Sequence, residues 1–175
     1  MIKKIVNKLI KYNSPRFYYT NILGVRIGKN FKGSKSISFG SEPYLVMIGD
    51  DFYSSTGVNF ITHDGAINVI RNRYGEYAEA DVFSPIVVGN NVFLGMNVIV
   101  LPGSVIEDDV IVGAGSIVKG TLEKGYVYAG VPVKKICSIE QYLDKNRDSI
   151  YMTKSLNSIE KREFLTKEFR EKFTC

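Results

Sequence analysis

The sequence predicts a mainly β fold: a solenoid of very short strands over residues 25–137, with a short helix before it and a helical appendage after it. Three observations predict this. Val88 to Lys119 reads in sixes as VGNNVF, LGMNVI, VLPGSV, IEDDVI, VGAGSI, VK, and an aliphatic residue opens every block: Val88, Leu94, Val100, Ile106, Val112 and Val118. The fifth places are small or branched as well: Val92, Val98, Ser104, Val110 and Ser116. The period then stops at Ser138, where helix-capping signals begin. A helix needs apolar spacings of three and four, and a half-buried strand needs alternation. A strict six fits neither. It fits short strands separated by turns, each driving one apolar side chain into a narrow core.

Residues 1–24 form the lead-in. Ile2, Ile5, Val6, Leu9 and Ile10 fall at helical spacing, so residues 2–12 are expected to form an amphipathic helix that ends at Ser14-Pro15. Two jobs suit it. It could cover the open end of the solenoid, which is the preferred reading because solenoid ends need covering, or it could contact a membrane surface. A looser run of sixes follows, with openers at Ile27, Gly33, Phe39 and Leu45. A more regular one runs through Ile48, Ser54 and Phe60 to His63. Residues 64–84 lose the period and are expected to be an unstructured loop thrown out from one corner. Stretches of that length inside a compact repeat tend to be functional. The repeat resumes at Ile86 and closes with a turn at Gly130 to Pro132. In the appendage, residues 138–175, Ser138 with Gln141 and Asn157 with Glu160 spell capping boxes. Phe164, Leu165, Phe169 and Phe173 give its last helix an apolar side, expected to pack on the solenoid or on a neighbouring subunit.

Composition narrows the classes. The chain has 175 residues, with 45% apolar and 23% charged side chains, as in ordinary globular domains. Two cysteines, Cys137 and the terminal Cys175, cannot make a disulfide framework, and a reducing, cytoplasmic setting is expected. No run of eighteen apolar residues occurs, and the start lacks the small-residue cleavage pattern of a signal peptide. The net charge of +5 is unevenly spread: Lys3, Lys4, Lys8, Lys11, Arg16, Arg26, Lys29, Lys32 and Lys35 all precede the first acidic residue, Glu42. An anionic neighbour is expected there, a lipid headgroup or a phosphorylated ligand rather than a nucleic acid.

The sixes, GAGSIV at 113–118 and AGVPVKKI at 129–136 together resemble the hexapeptide-repeat acyltransferases, in particular their sugar and polysaccharide O-acetyltransferases. The resemblance covers about residues 25–137. It implies a left-handed parallel β-helix, with three flat sides per coil. It also implies a homotrimer with its active sites in clefts between subunits, and acetyl-coenzyme A as acyl donor.

Acyl transfer to a hydroxyl needs a base, a hydrogen bond for the oxyanion and a cradle for the carrier. The lone histidine, His63, sits after a regular six and just before the loop, where the resemblance places the family's catalytic base. One imidazole also argues against a zinc site, which would need several. The carboxylate that orients His63 is left open among Asp64, Glu76, Glu79 and Asp81. No motif supports an acyl-enzyme, so direct attack in a ternary complex is expected. The resemblance puts the carrier along Gly95, Met96, Gly113 and Ala114. It puts basic or shaping contacts at Lys119, Pro132, Lys134 and Lys135, and the Gly95-Met96 turn would offer the oxyanion an N–H. An acceptor pocket is expected from Tyr53, Ser54, Ser55, Thr56 and Asn59, with Asp64, Arg71 and Arg73 near it. Two other functions stay open: an N-acyltransferase acting on an amino-sugar nucleotide, and a non-catalytic trimeric scaffold.

Overall fold

Each inward position predicted between Val88 and Val118 is buried. Val88, Leu94, Val100, Ile106, Val112 and Val118 are at most 1% exposed, as are Val92, Val98, Ser104, Val110 and Ser116. The computed structural model of the chain describes residues 2–173, without the side chains of residues 2–4 and 173. Cys175 and the predicted apolar contributions of Ile2 and Phe173 therefore lie outside what is described.

Among the described residues there are thirteen strands, all short: β1 (Arg26–Ile27), β2 (Val46–Ile48), β3 (Tyr53–Ser54), β4 (Asn59–Phe60), β5 (Ile86–Val88), β6 (Phe93–Leu94), β7 (Ile99–Val100), β8 (Val105–Ile106), β9 (Ile111–Val112), β10 (Ile117–Val118), β11 (Thr121–Leu122), β12 (Tyr126–Ala129) and β13 (Lys134–Ser138). They stack into three sheets: β1-β2-β5-β8-β11 is the first side, β3-β6-β9-β12-β13 the second, and β4-β7-β10 the third. The chain visits the sides in that order on each turn, and neighbours pair in parallel except for β13, which runs antiparallel to β12. In the regular coils partners are eighteen residues apart, as in Val88 with Ile106, Leu94 with Val112 and Val100 with Val118. That separation is three sixes. One aliphatic side chain per six points inward and the neighbouring one outward, because strand side chains alternate.

Two corners show how the coils stay in register. Between the first and second sides, Asn30, Asp51, Asn91 and Asp109 take a left-handed backbone, with φ between 52° and 56°. Asparagine and aspartate tolerate that region better than other residues with a side chain. Their neighbours form a ladder in which Asp50, Asn90 and Asp108 each accept, through Oδ1, the N–H of a residue one coil away, at 2.7–2.8 Å. The second corner carries Gly95. A Cβ there would sit 2.5 Å from the Ala114 nitrogen, so the coil above leaves no room for a side chain.

Buried polar groups are paired. Ser104 Oγ donates to the Leu101 carbonyl at 2.7 Å, and Ser116 Oγ donates to Gly113 at 2.7 Å while accepting from the Gly130 N–H at 3.0 Å. Ser116 thereby ties the turn at Gly130 to Pro132 onto the third side; the Val131–Pro132 bond in that turn is cis.

The early coils depart from the sixes read above. Ile27 pairs with Ile48, and Phe39 stacks on Phe60 at 5.1 Å and 5°. Gly33 lacks a side chain because the ring of Phe31 occupies its place: a Cβ on Gly33 would lie 2.1 Å from Phe31 Cζ, and Phe31 stacks on Phe52. Leu45 is not an opener. It ends a 3-10 turn, Pro43–Leu45, and Ile48 carries the inward position three residues later than a strict six allows.

The helix predicted at 2–12 forms, as α1 (Ile2–Asn13), but it does not close the solenoid. Ile5, Val6 and Leu9 are 54%, 45% and 57% exposed. The lid is Tyr19, from the turn Tyr18–Ile22 that follows the short helix α2 (Pro15–Phe17). Tyr19 is fully buried, meets Phe39 edge-on at 5.0 Å and Phe31 at 6.2 Å, and donates its hydroxyl to the Ser34 carbonyl at 3.1 Å. The aromatic first coil explains the choice. Phe31 and Phe39 make a wide, flat end that one aromatic ring covers better than an aliphatic stripe.

The loop 64–84 is not unstructured. It holds α3 (Ile67–Arg73) and a 3-10 turn, Gly75–Tyr77. Arg71 Nε donates to the Ala80 carbonyl at 2.6 Å, and its guanidinium pairs with Asp81. The chain divides into two units, residues 1–142 and 143–175. Both predicted capping boxes form, Ser138 with Gln141 at the start of α4 (Ile139–Asn146), and Asn157 with Glu160 at the start of α5 (Ser158–Glu168). In the second unit Tyr151 packs edge-on against Phe164 and Phe169.

Truncating the lid tests its weight. Tyr19→Ala is expected to lower stability by about 3–5 kcal/mol in urea unfolding, the cost of emptying a buried aromatic site; an unchanged midpoint would contradict the capping role. Burial, then the neighbouring Tyr18, push the Tyr19 phenol from 10 up to about 12. The fold thus favours the neutral phenol. Its contribution is whole below pH 10 and is lost as the pH rises toward about 12. Tyr19→Phe should flatten that alkaline loss.

Candidate active site

His63 stands where the third side turns back to the first. Its segment is gripped from both directions. Ile61 N–H reaches the Val100 carbonyl at 2.9 Å, in the coil above. The loop's two ends pair antiparallel: Ser84 N–H donates to Thr62, Asp64 N–H to Val82, and His63 faces Phe83. The imidazole therefore sits on a short, braced stem, with 42% of its side chain exposed.

The carboxylate that meets it is Glu42. Glu42 Oε2 lies 3.0 Å from His63 Nδ1 and accepts the Thr62 hydroxyl at 3.0 Å; Ser41 Oγ lies 3.2 Å from the same imidazole nitrogen. An ionised carboxylate can only accept, so Nδ1 carries the proton and Nε2 keeps its lone pair. Burial pushes the Glu42 carboxyl up, but hydrogen bonds from Ser41, Thr62 and His63, with the charge of His63, outweigh it and hold the pKa below the usual range. A lowered carboxylate contributes above its ordinary pKa and is lost only as the pH falls through the lowered value. The Glu42 carboxylate thus stays ionised, and able to orient the imidazole, through neutral and mildly acid solution.

None of the four rivals takes that place. Asp64 accepts the Ala66 N–H at 2.9 Å, starting the loop's first turn, and Asp81 pairs with Arg71. Glu76 and Glu79 are exposed on the loop. Sequence reasoning missed Glu42 because it lies one coil earlier, inside the Gly40–Leu45 turn, whose three extra residues break the count of sixes.

An open pocket of about 350 Å³ lies before the imidazole, walled by Glu42, Asp64, Ile67, Arg71, Val82 and Phe83. Larger depressions along α5 and beside α1 contain no histidine or cysteine. Among the described residues, no group of three or more His, Cys, Asp or Glu side chains could hold a metal ion.

The other predicted site residues distribute over the prism. Ser54 is 3% exposed, in the inward register of Leu94 and Val112, and its Oγ accepts the Ser34 N–H. It is core and cannot line an acceptor pocket. Tyr53 lies against Phe93, tilted by 52° with ring centroids 5.3 Å apart, on the second side, which is the side facing away from the His63 corner. Ser55 and Thr56 lie at the corner between second and third sides. Asn59 stays on the third side, next to the His63 corner, with its amide on the Gly57 carbonyl. Arg71 reaches the pocket wall but is engaged by Ala80 and Asp81, whereas Arg73 is exposed over the Tyr74 ring.

Gly95, Met96, Gly113 and Ala114 stack at the corner between second and third sides, so the full width of the third side separates them from His63 of the same chain. The Gly95 N–H is bonded to the Val112 carbonyl at 2.8 Å and is not a free oxyanion donor. Met96 is 50% exposed beside it. Lys119 sits instead on the His63 corner, two coils on. Lys135 is held by Glu123, which raises its pKa, and lies 3.8 Å over the Tyr126 ring; Lys134 next to it is exposed.

Residues 85–120 match the family described as bacterial transferase hexapeptide (six repeats). Protein CapG of Staphylococcus aureus is 41% identical over 172 residues, 97% of this chain and 98% of that one. The chain belongs to the hexapeptide-repeat acyltransferase family. Its solenoid is accordingly a left-handed parallel β-helix, and it is an acyltransferase. The galactoside O-acetyltransferase of Escherichia coli is 31% identical over 140 residues, 80% of this chain and 64% of that one. A solved galactoside acetyltransferase in complex with coenzyme A shares the fold with a TM-score of 0.56 at 23% identity, over 87% of this chain and 86% of that one.

The dyad generates a test. Glu42→Gln can offer its amide N–H to Nδ1 and so select the wrong tautomer. Turnover should fall about tenfold or more, with the KM for the acyl donor and the melting temperature kept. Glu76→Gln and Glu79→Gln should leave turnover unchanged. Full activity in Glu42→Gln would remove this residue from its positioning role.

Proposed function

We propose that the chain transfers an acetyl group from acetyl-coenzyme A to a sugar hydroxyl, with His63 as general base. The observation that carries this is the Glu42–His63 pair, which engages Nδ1 and leaves Nε2 as the basic nitrogen of an imidazole that lines an open pocket. The acceptor hydroxyl gives its proton to Nε2 as its oxygen attacks the thioester carbonyl. The tetrahedral intermediate then breaks its C–S bond, and the departing thiolate takes the proton back from the imidazolium. No covalent enzyme intermediate is needed: holding both substrates in one geometry supplies most of the advantage.

The split between corners bears on assembly. A carrier lying along Gly95, Met96, Gly113 and Ala114 cannot bring its thioester to the same chain's His63 without crossing the third side. A homotrimer, in which one protomer's His63 corner adjoins another's glycine corner, closes that gap, and each cleft holds one site. There the exposed Met96 turn offers the oxyanion its backbone N–H. Pro132, Lys119 and Lys134 shape and charge the carrier's path, with Lys134 better placed than the engaged Lys135 to meet phosphate. Asn59 and Arg73 are the polar groups left for the acceptor. The galactoside O-acetyltransferase relative supports a sugar acceptor, such as a unit of a surface polysaccharide precursor. Residues 25–137 carry this chemistry, in the cytoplasm, where the acyl donor is made.

Thioester consumption measured against a panel of sugars tests the reading. His63→Ala should slow it about a hundredfold or more. A loss under about tenfold, below what general-base catalysis contributes, would strike His63 from the mechanism and favour an amine acceptor that needs no base. Light scattering should find three copies per particle, and a monomer with full activity would exclude the shared cleft.

A further inference from the structure

We infer that α1 seats the protein on an anionic lipid bilayer. Because Tyr19 closes the solenoid, the apolar stripe of α1 is not needed as a cap, and it stays in water: Ile5 and Leu9 are more than half exposed, and Tyr12 is 66% exposed. With Lys8, Lys11 and Lys35 these side chains line an open groove of about 690 Å³. Stable folds seldom leave such a stripe uncovered without a partner for it.

Charge identifies the partner. No carboxylate occurs before Glu42. Among the described residues, Lys8, Lys11, Arg16, Arg26, Lys29, Lys32 and Lys35 make no ion pair. The first carboxylates along the chain are already engaged: Glu42 by Thr62 and His63, Asp50 by the Lys29 N–H, and Asp51 by the Asn30 amide. An apolar stripe rimmed only by lysines matches a surface that is apolar beneath and anionic on top. A second copy of the chain fits worse, since pairing the stripe with itself would set Lys8, Lys11 and Lys35 against their own like charges. Tyr12, with Lys35 Nζ 3.7 Å over its ring, has the apolar body and polar tip that favour the headgroup boundary. Twelve residues reach only about 18 Å, short of a bilayer's roughly 30 Å apolar core, so α1 lies along the surface and does not cross it.

The test is flotation of the full chain with vesicles of phosphatidylcholine alone, or of phosphatidylcholine containing one third phosphatidylglycerol. Binding is expected only to the anionic vesicles and should weaken at high salt. Each surface lysine is worth about fivefold in partitioning, so Lys8→Glu with Lys35→Glu should lower binding more than about tenfold. Ile5→Ser with Leu9→Ser should do the same. Both variants should keep the melting temperature, the particle mass and thioester turnover on a soluble acceptor. Three results would overturn the inference: no binding to anionic vesicles, equal binding to neutral ones, or a smaller particle in Ile5→Ser with Leu9→Ser, which would assign the stripe to another copy. Vesicle binding is read without catalysis, so this result and that for His63 stand or fall separately.

Discussion

The structure depends on one inward side chain per six residues, stacked at eighteen-residue intervals. Val88 over Ile106, Leu94 over Val112 and Val100 over Val118 fill the prism's interior so completely that no coil can gain a residue along a side. Close-packed interiors do not absorb insertions. Extra chain can therefore leave only at a corner. Both insertions in this solenoid leave at the same one, where the third side turns to the first. The first is the Gly40–Leu45 turn, which holds Glu42, and the second is residues 64–84, which begin just after His63. The packing rule that forbids insertions elsewhere thus places the carboxylate of one coil beneath the imidazole of the next.

That placement separates what was legible in the sequence from what was not. The coils from Val88 to Val118 could be read directly because no insertion interrupts them, and every inward residue there is as expected. His63 was legible too, since it adjoins the break in the period. Glu42 was not. The three extra residues before Ile48 are invisible when Leu45, also aliphatic, occupies the expected opener position, and a one-coil neighbour is then never considered. Ser54 was misread for the opposite reason. Serine and threonine in a run suggest a polar turn, but the register makes Ser54 an inward residue, tolerated because its hydroxyl has the Ser34 N–H as partner. Gly33 looked like a poor opener because the ring that replaces its side chain belongs to Phe31, two residues away.

The same register limits what one chain can do. Flat sides keep the corners apart, so a carrier lying along the small-residue turns would not reach His63 of the same prism. The proposed cleft shared between copies would join the two corners; without it the turn residues would have another purpose. Gly95 illustrates the choice. The approach of Ala114 already demands glycine there for stacking alone, so its presence says nothing about ligands. The exposed thioether of Met96 beside it has no such packing reason, and in the proposed trimer that turn would face the shared cleft.

The ends of the prism follow a different logic from its sides. A side is satisfied by the next coil, but the first coil has none below it, and its wide aromatic floor of Phe31 and Phe39 needs a cover. Had α1 been that cover, its apolar stripe would be hidden and its lysines would be ordinary solvated charges. Because one tyrosine ring does the work instead, held by edge-on contacts with Phe31 and Phe39 and by its hydroxyl hydrogen bond, the helix before it is released from the core. An apolar stripe freed in this way is what the proposed contact with a bilayer would cover, and the absence of any carboxylate in the first forty-one residues matches that stripe to an anionic surface.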